Sequence, residues 1–259
     1  MDKTRAGIQS VEVGHALLEA LARARGPLML RDLAAAAGMS AAKAHRYLVS
    51  FQRLGLVSQD AATTRYDLGP AALRLGLAAI TRLDAVKLAR ERLPALMPRI
   101  GHTLALAVWG NHGPTIVHWE ESPEAVTVNL RLGDVMPLLS SATGRCFIAH
   151  VSREAIAPLL RSELARARQL GRDDLPRQQA ELATLIREVR ARGMARVVDT
   201  LLPGVAGFCA PVFDFDGHLV LGLVALGSTA TFDTAWDGRV ATALGQAARQ
   251  LSHELGHTG

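Results

Sequence analysis

Two groups of side chains in this chain of 259 residues have the types and the spacing for chemistry. Cys146 and His150 lie four residues apart, which places them on one face of a helix, where an imidazole can activate a thiol as a nucleophile. Lys43, His45 and Arg46 lie within about one helical turn and can bind phosphates or base edges. The first group indicates covalent catalysis and the second indicates binding to a polyanion.

The pair of Cys146 and His150 lacks the other parts of a catalytic site. No third residue that would orient the histidine is evident near it, no oxyanion-stabilising element is evident either, and Phe147 and Ile148 indicate a buried helix. Neither Cys146 nor Cys209 belongs to a cluster with metal-ligand spacing, so two buried free thiols are the simpler interpretation. We therefore predict no enzymatic activity, no metal and no cofactor.

The basic group lies in a stretch, residues 30–54, that has the pattern of a helix-turn-helix. Gly38 permits the left-handed conformation in which a first helix ends, and Ser40 can cap a second helix. Apolar residues recur at helical spacing in both helices: Leu33 and Ala37 in the first, Ala44, Leu48 and Phe51 in the second. The second helix is therefore expected to present Lys43, His45, Arg46 and Arg53 to solvent.

The positive charge of the chain is concentrated around this stretch. Residues 1–82 contain eleven Lys and Arg against six Asp and Glu, whereas the two kinds balance over residues 83–259. The first segment thus accounts for the whole formal net charge of +5. A basic segment joined to a neutral one is typical of a polyanion-binding domain with a second function attached, although charge alone leaves a solvated basic surface as the alternative.

Three elements are predicted around the helix-turn-helix. A helix capped by Ser10 runs to about Arg25. Residues 57–68 alternate around a polar tip and form a β-hairpin, a wing in which Arg65 can reach a phosphate or the minor groove. A helix over residues 70–81 then carries Leu73, Leu77 and Ile80, and this apolar face needs a partner such as the same helix of a second subunit.

The second half of the chain predicts an α+β domain. Asp84 caps a further helix, which Pro94 and Pro98 interrupt. Strands are predicted at 104–109, 115–119, 126–130, 131–135, 207–213 and 219–226, and helices at 143–150, 152–170, 178–192 and 233–255. Strands flanked by helices without a regular βαβ order favour a mostly antiparallel sheet. We place a winged helix-turn-helix domain at 8–69, a linker helix at 70–83 and a second domain at 84–256.

Several motifs resemble those of the IclR (isocitrate lyase regulator) family of bacterial transcription factors in their order and spacing. The N-terminal part carries MSAAKAHRYLVSFQRLGLV at 39–57 and RYDLGPAALRLG at 65–76. The C-terminal part carries PLLSSATGRCFIAHV at 137–151, Asp199 with PGVAGFCAPV at 203–212, and DGHLVLGLVALG at 216–227. The resemblance implies a winged helix-turn-helix domain, a dimerising linker helix and a GAF-like effector-binding domain.

The resemblance also implies a function. It implies a transcriptional repressor or activator that binds a palindromic operator in double-stranded DNA as a homodimer or a dimer of dimers, under the control of a small organic acid. The implied DNA contacts are Ser40, Ala41, Ala42, Lys43, His45, Arg46, Arg53 and Arg65. Because Ala41 and Ala42 replace hydroxyl and lysine residues of the family, base contacts should rest on Lys43 and Arg46. His45 either contacts a phosphate or is a partly buried helix residue.

The effector site implied by the resemblance combines the start of one helix with two strands. Its expected residues are Leu138, Ala142, Thr143, Gly144, Val205, Gly207, Cys209, Val224 and Leu226. Backbone N–H groups that open the helix at residue 144 would bind a carboxylate, with help from the Thr143 hydroxyl. Family members that bind small polar acids carry hydroxyl side chains where this chain has Val224 and Leu226, so an apolar lining favours an aromatic acid.

A second hypothesis belongs to a different class: a small-molecule-binding or Cys-dependent catalytic domain fused to a structural winged helix that contacts protein. Under both hypotheses, the protein is expected to be cytoplasmic and to have no membrane partner. The longest apolar run, residues 219–226, is much shorter than the roughly 20 residues that span a bilayer. The first residues also lack the apolar segment of a signal peptide.

Overall fold

The computed structural model describes residues 7–80, 82–122 and 130–258, which form two compact units that divide after Leu83. The N-terminal unit contains α1 (Gln9–Arg23), α2 (Leu30–Ala36), α3 (Ala41–Arg53), β1 (Val57–Gln59), β2 (Tyr66–Leu68) and α4 (Pro70–Ile80). The C-terminal unit contains α5 (Ala85–Ile100), β3 (Thr103–Gly110), β4 (Gly113–Glu120), α6 (Ala142–His150), α7 (Arg153–Gln169), α8 (Gln179–Arg192), β5 (Ala195–Val198), β6 (Val205–Phe213), β7 (Leu219–Ser228) and α9 (Arg239–Glu254).

The predicted helix-turn-helix is confirmed in the N-terminal unit. Gly38 adopts a φ of +67° where the chain leaves α2, and the Ser40 hydroxyl accepts a hydrogen bond from the Lys43 N–H at 3.4 Å. Helices α1 to α3 and the hairpin share one apolar core, formed by Leu17, Leu21, Leu33, Ala34, Ala44, Leu48, Val57 and Tyr66. The backbone of Tyr66 also exchanges two hydrogen bonds with Leu28, which ties the hairpin to the connection between α1 and α2.

Helix α4 carries an apolar surface that its own unit does not cover. The helix begins at Pro70, as the sequence predicts. Leu73, Leu75 and Leu77 are 63%, 64% and 52% exposed. Leu73 and Leu77 lie one turn apart on one face, and Leu75 projects from the opposite side. Leucines this exposed are unusual in water, because burying each of them is worth roughly 2 kcal/mol.

One antiparallel sheet organises the C-terminal unit, with the strand order β4-β3-β7-β6-β5. Helices α5 and α9 cover one face, against alternate residues of β3, β6 and β7. Helix α6, backed by α8, covers the other face. Cys209 and Val224 pair across β6 and β7 on that second face, as do Gly207 and Leu226. The predicted α+β class with an antiparallel sheet is therefore confirmed.

Helix α5 corrects one sequence prediction. The Asp84 carboxylate caps it by accepting the Lys87 N–H at 2.9 Å, as expected. Pro94 and Pro98 do not interrupt the helix, which continues to Ile100. Both prolines are exposed, so the carbonyl groups that lose their helical partners face water, while the buried side chains on the opposite face hold the helix against the sheet.

Other boundaries also differ from the predictions. The N-cap of α1 is Ile8 rather than Ser10, and no side-chain hydrogen bond caps that helix. Residues 131–135 form a turn with a single bridge to Thr115 instead of a strand, and the strand predicted at 126–130 lies outside the described residues except for its last position. The last helix starts at 239 rather than 233, because the Asp233 carboxylate accepts two backbone N–H groups in a preceding turn. Strand β5 was not predicted.

Within the described ranges, every helix is too short or too polar to span a bilayer.

Candidate functional site

The predicted DNA contacts in α3 form one exposed surface. All seven residues expected at the start and along the outer face of this helix are exposed: Ser40, Ala41, Ala42, Lys43, His45, Arg46 and Arg53. The ion pairs of the described part of this unit both involve Glu19 of α1, so no carboxylate neutralises Lys43, Arg46 or Arg53 there. These three cations are therefore available to an external polyanion.

The hairpin presents a different chemistry. At its tip the Asp60 carboxylate accepts hydrogen bonds from the N–H and hydroxyl groups of Thr63 at 2.6 and 2.8 Å, and these bonds lower the pKa of Asp60. Arg65 is exposed just before β2, and its guanidinium donates to the Pro27 carbonyl at 3.1 Å. Arg65 thus lies opposite Asp60 at the tip end of the hairpin, where the Asp60 N–H donates to the Arg65 carbonyl at 2.9 Å, and its side chain contacts the connection between α1 and α2.

The start of α6 is buried, and its hydrogen bonds define which backbone groups remain free. The Ser141 hydroxyl accepts the Gly144 N–H at 2.8 Å and donates to the Pro137 carbonyl at 2.6 Å. The Arg145 N–H donates to the Ser141 carbonyl. Among the described residues, the N–H groups of Ala142 and Thr143 are left without a hydrogen-bond acceptor. The amide of Gly144, which the sequence assigned to anion binding, is already used by the cap.

A narrow cavity opens beside these two amides. Its volume is about 390 Å³, part of which is open to solvent. Six of the nine predicted effector residues line it: Ala142, Thr143, Val205, Gly207, Val224 and Leu226. Its remaining walls are formed by Leu130, Met136, Ser141, Val197, Leu201 and Ala206. The cavity is therefore apolar except at the start of α6.

The other three predicted effector residues lie away from the cavity. Leu138 packs with α7 and α8. Gly144 lies directly against the backbone of Pro137 and Leu138, where an added Cβ would overlap main-chain atoms. Cys209 lies further along β6 than Gly207, in the buried cluster beneath α6. Strand alternation placed it on the correct face but could not tell how far the cavity extends along that face.

The segment before α6, residues 136–141, is held from behind by two charged side chains. The Glu163 carboxylate of α7 accepts the Leu138 and Leu139 N–H groups at 2.6 and 2.9 Å. The Arg145 guanidinium donates to the Leu139 carbonyl at 2.8 Å. Hydrogen bonds to ionised groups are stronger than neutral ones, so this segment holds Met136 and the first turn of α6 in place. Nothing in the local sequence pattern indicated the role of Glu163.

The candidate nucleophile has no catalytic surroundings in the described residues. Cys146 and Cys209 are free and buried, and burial, together with the neighbouring Cys146 thiol, raises the pKa of Cys209 well above its usual value. The Nε2 atom of His150 is buried without a described partner, so it does not contact a thiol. Burial and the charge of Arg190 lower the pKa of His150 to about 4. No group of three or more His, Cys, Asp or Glu residues with metal-binding geometry occurs among the described residues.

Comparison with known proteins identifies the class. Residues 77–253 match the family described as bacterial transcriptional regulator IclR C-terminal, and residues 10–61 match the IclR helix-turn-helix domain. The chain belongs to the IclR family of bacterial transcriptional regulators, in which a helix-turn-helix domain binds DNA and a second domain binds an effector.

Individual relatives span the whole chain. The crystal structure of Pseudomonas aeruginosa HmgR is 39% identical, with a TM-score of 0.86, and the match covers 97% of this chain and 100% of HmgR. A glycerol operon regulatory protein of Streptomyces griseus is 32% identical over 96% of this chain and 97% of its own length. An IclR homologue from Microbacterium hydrocarbonoxydans, solved in complex with 4-hydroxybenzoate, is 19% identical with a TM-score of 0.56, over 95% of this chain and 98% of that one.

Proposed function

We propose that an aromatic carboxylate binds in the cavity beside α6 and controls the affinity of α3 for an operator. The observation that carries this proposal is the pair of free N–H groups, on Ala142 and Thr143, at the end of an otherwise apolar cavity. Helix N-termini favour anions because unpaired N–H groups and the helix dipole both point toward them. An aromatic acid matches a cavity that is apolar along its walls and has N–H donors at one end, because its ring needs an apolar surface and its carboxylate needs donors.

The similarity to the Microbacterium homologue supports this ligand class, because 4-hydroxybenzoate is an aromatic acid of the proposed kind. At 19% identity the likeness concerns the fold, so the ligand class rests mainly on the lining of this cavity. Val224 and Leu226 offer no hydroxyl group to a small keto acid. We infer a preference for aromatic acids over pyruvate or glyoxylate.

We further infer that α3 reads the operator in the major groove, with Lys43 and Arg46 at base edges or phosphates and Ala41 or Ala42 against thymine methyl groups. Exposure and the lack of described ion pairs around α3 support this assignment. The exposed leucines of α4 support a homodimer or a dimer of dimers, because pairing two such helices would bury them. Two-fold symmetry of the protein would match a palindromic operator.

We infer that this C-terminal domain has no catalytic activity of its own. A thiol buried in apolar surroundings stays protonated, and the thiolate is the nucleophilic form. The buried positions of Cys146 and Cys209 and the raised pKa of Cys209 support that inference.

The substitution Ala142→Pro tests the effector site by removing one proposed donor. Proline suits the first position of a helix, and Ser141 before it has an extended backbone with ψ of 150°. We expect the variant to bind 4-hydroxybenzoate at least tenfold more weakly than the unchanged protein by calorimetry, because a charge-assisted hydrogen bond is worth about 1.5 kcal/mol or more. Affinity for 4-hydroxybenzamide, a neutral analogue, should change much less.

The matched control is Ala41→Pro, which makes the same change at the first residue of α3, where Ser40 is also extended. It should leave 4-hydroxybenzoate affinity unchanged. Tighter binding of pyruvate than of aromatic acids by the unchanged protein would contradict the proposed ligand class. Equal loss of 4-hydroxybenzoate affinity in both proline variants would contradict the proposed site.

A further inference from the structure

A second pocket lies along β5, the edge strand of the sheet, and Val197 lines both this pocket and the cavity beside α6, which we call the effector cavity. It is a cleft of about 930 Å³ that is continuous with solvent, and it is larger than the effector cavity. Its charged and aromatic lining consists of Arg145, Asp174, Glu181, Glu188, Arg196 and Trp236. The lining thus carries two guanidinium groups and three carboxylates.

The two arginines of this pocket are bound only to backbone carbonyls and an aromatic ring. Arg145 donates to the carbonyls of Leu139 and Arg196 at 2.8 and 3.3 Å. Arg196 donates to the Thr234 carbonyl at 2.7 Å, and its guanidinium carbon lies 4.3 Å from the centre of the Trp236 ring. A guanidinium has five N–H donors, so each keeps several free. Within the described residues, neither has a carboxylate oxygen within 4.0 Å.

Two of the three acids in the pocket are already engaged by other groups. The Asp174 carboxylate receives two hydrogen bonds from Arg172, which lower its pKa. The Glu181 carboxylate accepts the backbone N–H groups of Arg177 and Gln178 at 2.7 and 3.3 Å. Glu188 is the remaining acid that acts on Arg145. Asp174 is thus neutralised by Arg172, whereas Glu181 keeps its charge but is held by backbone N–H groups, and the carboxylate of Glu188 has no described hydrogen bond.

Arg145 is also largely removed from water. Burial lowers its pKa, and the more distant charges of Asp174 and Glu188 oppose this shift. A desolvated charge that has carbonyl partners but no counter-ion in direct contact raises the free energy of the folded protein. A small anion that entered the pocket would supply the missing partner.

We propose that this pocket is a second ligand site, in which Arg145 and Arg196 hold a small oxyanion, the carboxylate or phosphate group of a compact metabolite. The site is distinct from the effector cavity, because the two linings share only Val197. Trp236 closes one side and holds Arg196 by stacking, which limits the entropy that the arginine loses when it binds a ligand.

Calorimetric titration of the full chain with inorganic phosphate and with acetate, at low ionic strength, tests the site. The substitution Arg196→Gln should weaken binding of the anion at least tenfold, because it removes one of two charged donors. Glu188→Gln should strengthen binding severalfold, because it removes the competing carboxylate. General damage to the fold would not produce this gain. Arg161→Gln, an exposed position on α7 outside the pocket, removes the same charge and should change nothing.

Three results would overturn the proposal. The first is that the unchanged protein binds neither phosphate nor acetate. The second is equal weakening by Arg196→Gln and Arg161→Gln, which indicates attraction to the general surface charge. The third is loss of the anion in Ala142→Pro but not in Arg196→Gln, which would place it in the effector cavity. Failure of 4-hydroxybenzoate to bind would leave the expected phosphate and acetate results unchanged, so the two sites are tested separately.

Discussion

Helices α3 and α6 begin in the same way but in opposite surroundings. In each, a serine is the N-cap and accepts the N–H group three residues later: Ser40 from Lys43, Ser141 from Gly144. The first turn of α3 is exposed and is followed by uncompensated cations, whereas the first turn of α6 is buried against an apolar cavity. The difference shows that the serine cap fixes where a helix begins but does not determine what that helix end binds. The surroundings decide whether side chains or backbone amides meet the ligand.

The exposed start of α3 suits DNA, and the buried start of α6 suits a carboxylate ligand. In water, backbone amides alone attract an anion weakly, so an exposed helix needs Lys and Arg side chains to bind DNA. In an apolar cavity, two amides are enough to select a carboxylate ligand over a neutral one. A carboxylate there has no water to hydrate it, so its desolvation is unfavourable unless it accepts hydrogen bonds from the protein. The comparison can be tested at matched positions in the two helices.

The largest expected effect concerns α3. Replacing both Lys43 and Arg46 by alanine should weaken operator binding by about 4 kcal/mol, roughly a thousandfold, and flatten its dependence on salt. Fluorescence anisotropy with labelled operator DNA at several salt concentrations measures both quantities. Lys87→Ala in α5 removes a similar charge from the other unit and should change little. Unchanged operator affinity in the double variant would remove α3 from the DNA interface.

The next effect compares two glycines near the helix starts. Gly144→Ala should reduce the free energy of unfolding of the C-terminal unit by about 3 kcal/mol, because its Cβ would overlap the backbone of Pro137 and Leu138. Gly38→Ala should cost its own unit only about 1 kcal/mol, since the site is open and only the positive φ is unfavourable. Urea titrations followed by circular dichroism give both values. Equal losses would contradict the tight contact beneath α6.

A pH effect of intermediate size follows from His150 at the end of α6. Its pKa of about 4 lies below the usual value near 6.5, so between these values the unfolded chain binds a proton that the folded chain does not. The free energy of unfolding should therefore fall as the pH drops from 6.5 to 4, by on the order of 2 kcal/mol after allowance for solvent screening. Urea titrations of the unchanged protein and His150→Gln at pH 7 and pH 5 test this. The variant should lose less stability, and an identical loss would argue against the buried histidine.

The smallest effect concerns the two caps. Ser40→Ala should cost about 0.5 kcal/mol, because the hydroxyl is exposed and its bond is long. Ser141→Ala should cost about 2 kcal/mol, because it leaves the Gly144 N–H and the Pro137 carbonyl unpaired in a buried site. Thermal unfolding of each variant beside the unchanged protein ranks the two. A larger loss of stability in Ser40→Ala than in Ser141→Ala would contradict the view that the buried cap contributes more than the exposed one.

The sequence predicted those features that depend on local spacing. The turn at Gly38, the cap at Ser40 and the start of α4 at Pro70 follow from intrinsic preferences that tertiary contacts reinforce. Helix α5 shows the limit, because Pro94 and Pro98 oppose a helix locally and burial of the opposite face overrides them.

The lining of the cavity beside α6 was predicted in part, because strand alternation and local motifs are also features of local sequence. Motif resemblance and strand alternation identified the start of α6 and the two strands behind it. Leu130, Met136 and Leu201 come from separate connecting segments, and only the folded chain brings them to one wall. Leu138 was predicted in the lining but lies outside it. The chain turns before α6 and directs that side chain to α7.

The small free space of the effector cavity has a kinetic consequence. Met136, Leu130 and Leu201 narrow this cavity, so we expect an aromatic ring to enter only after these side chains rotate away. The measured association rate would then be the product of an opening equilibrium and an encounter rate, and it should fall below the usual range for small ligands. The same opening equilibrium weakens the apparent affinity, so a substitution that merely shortens Met136 could make this regulator respond at lower effector concentrations.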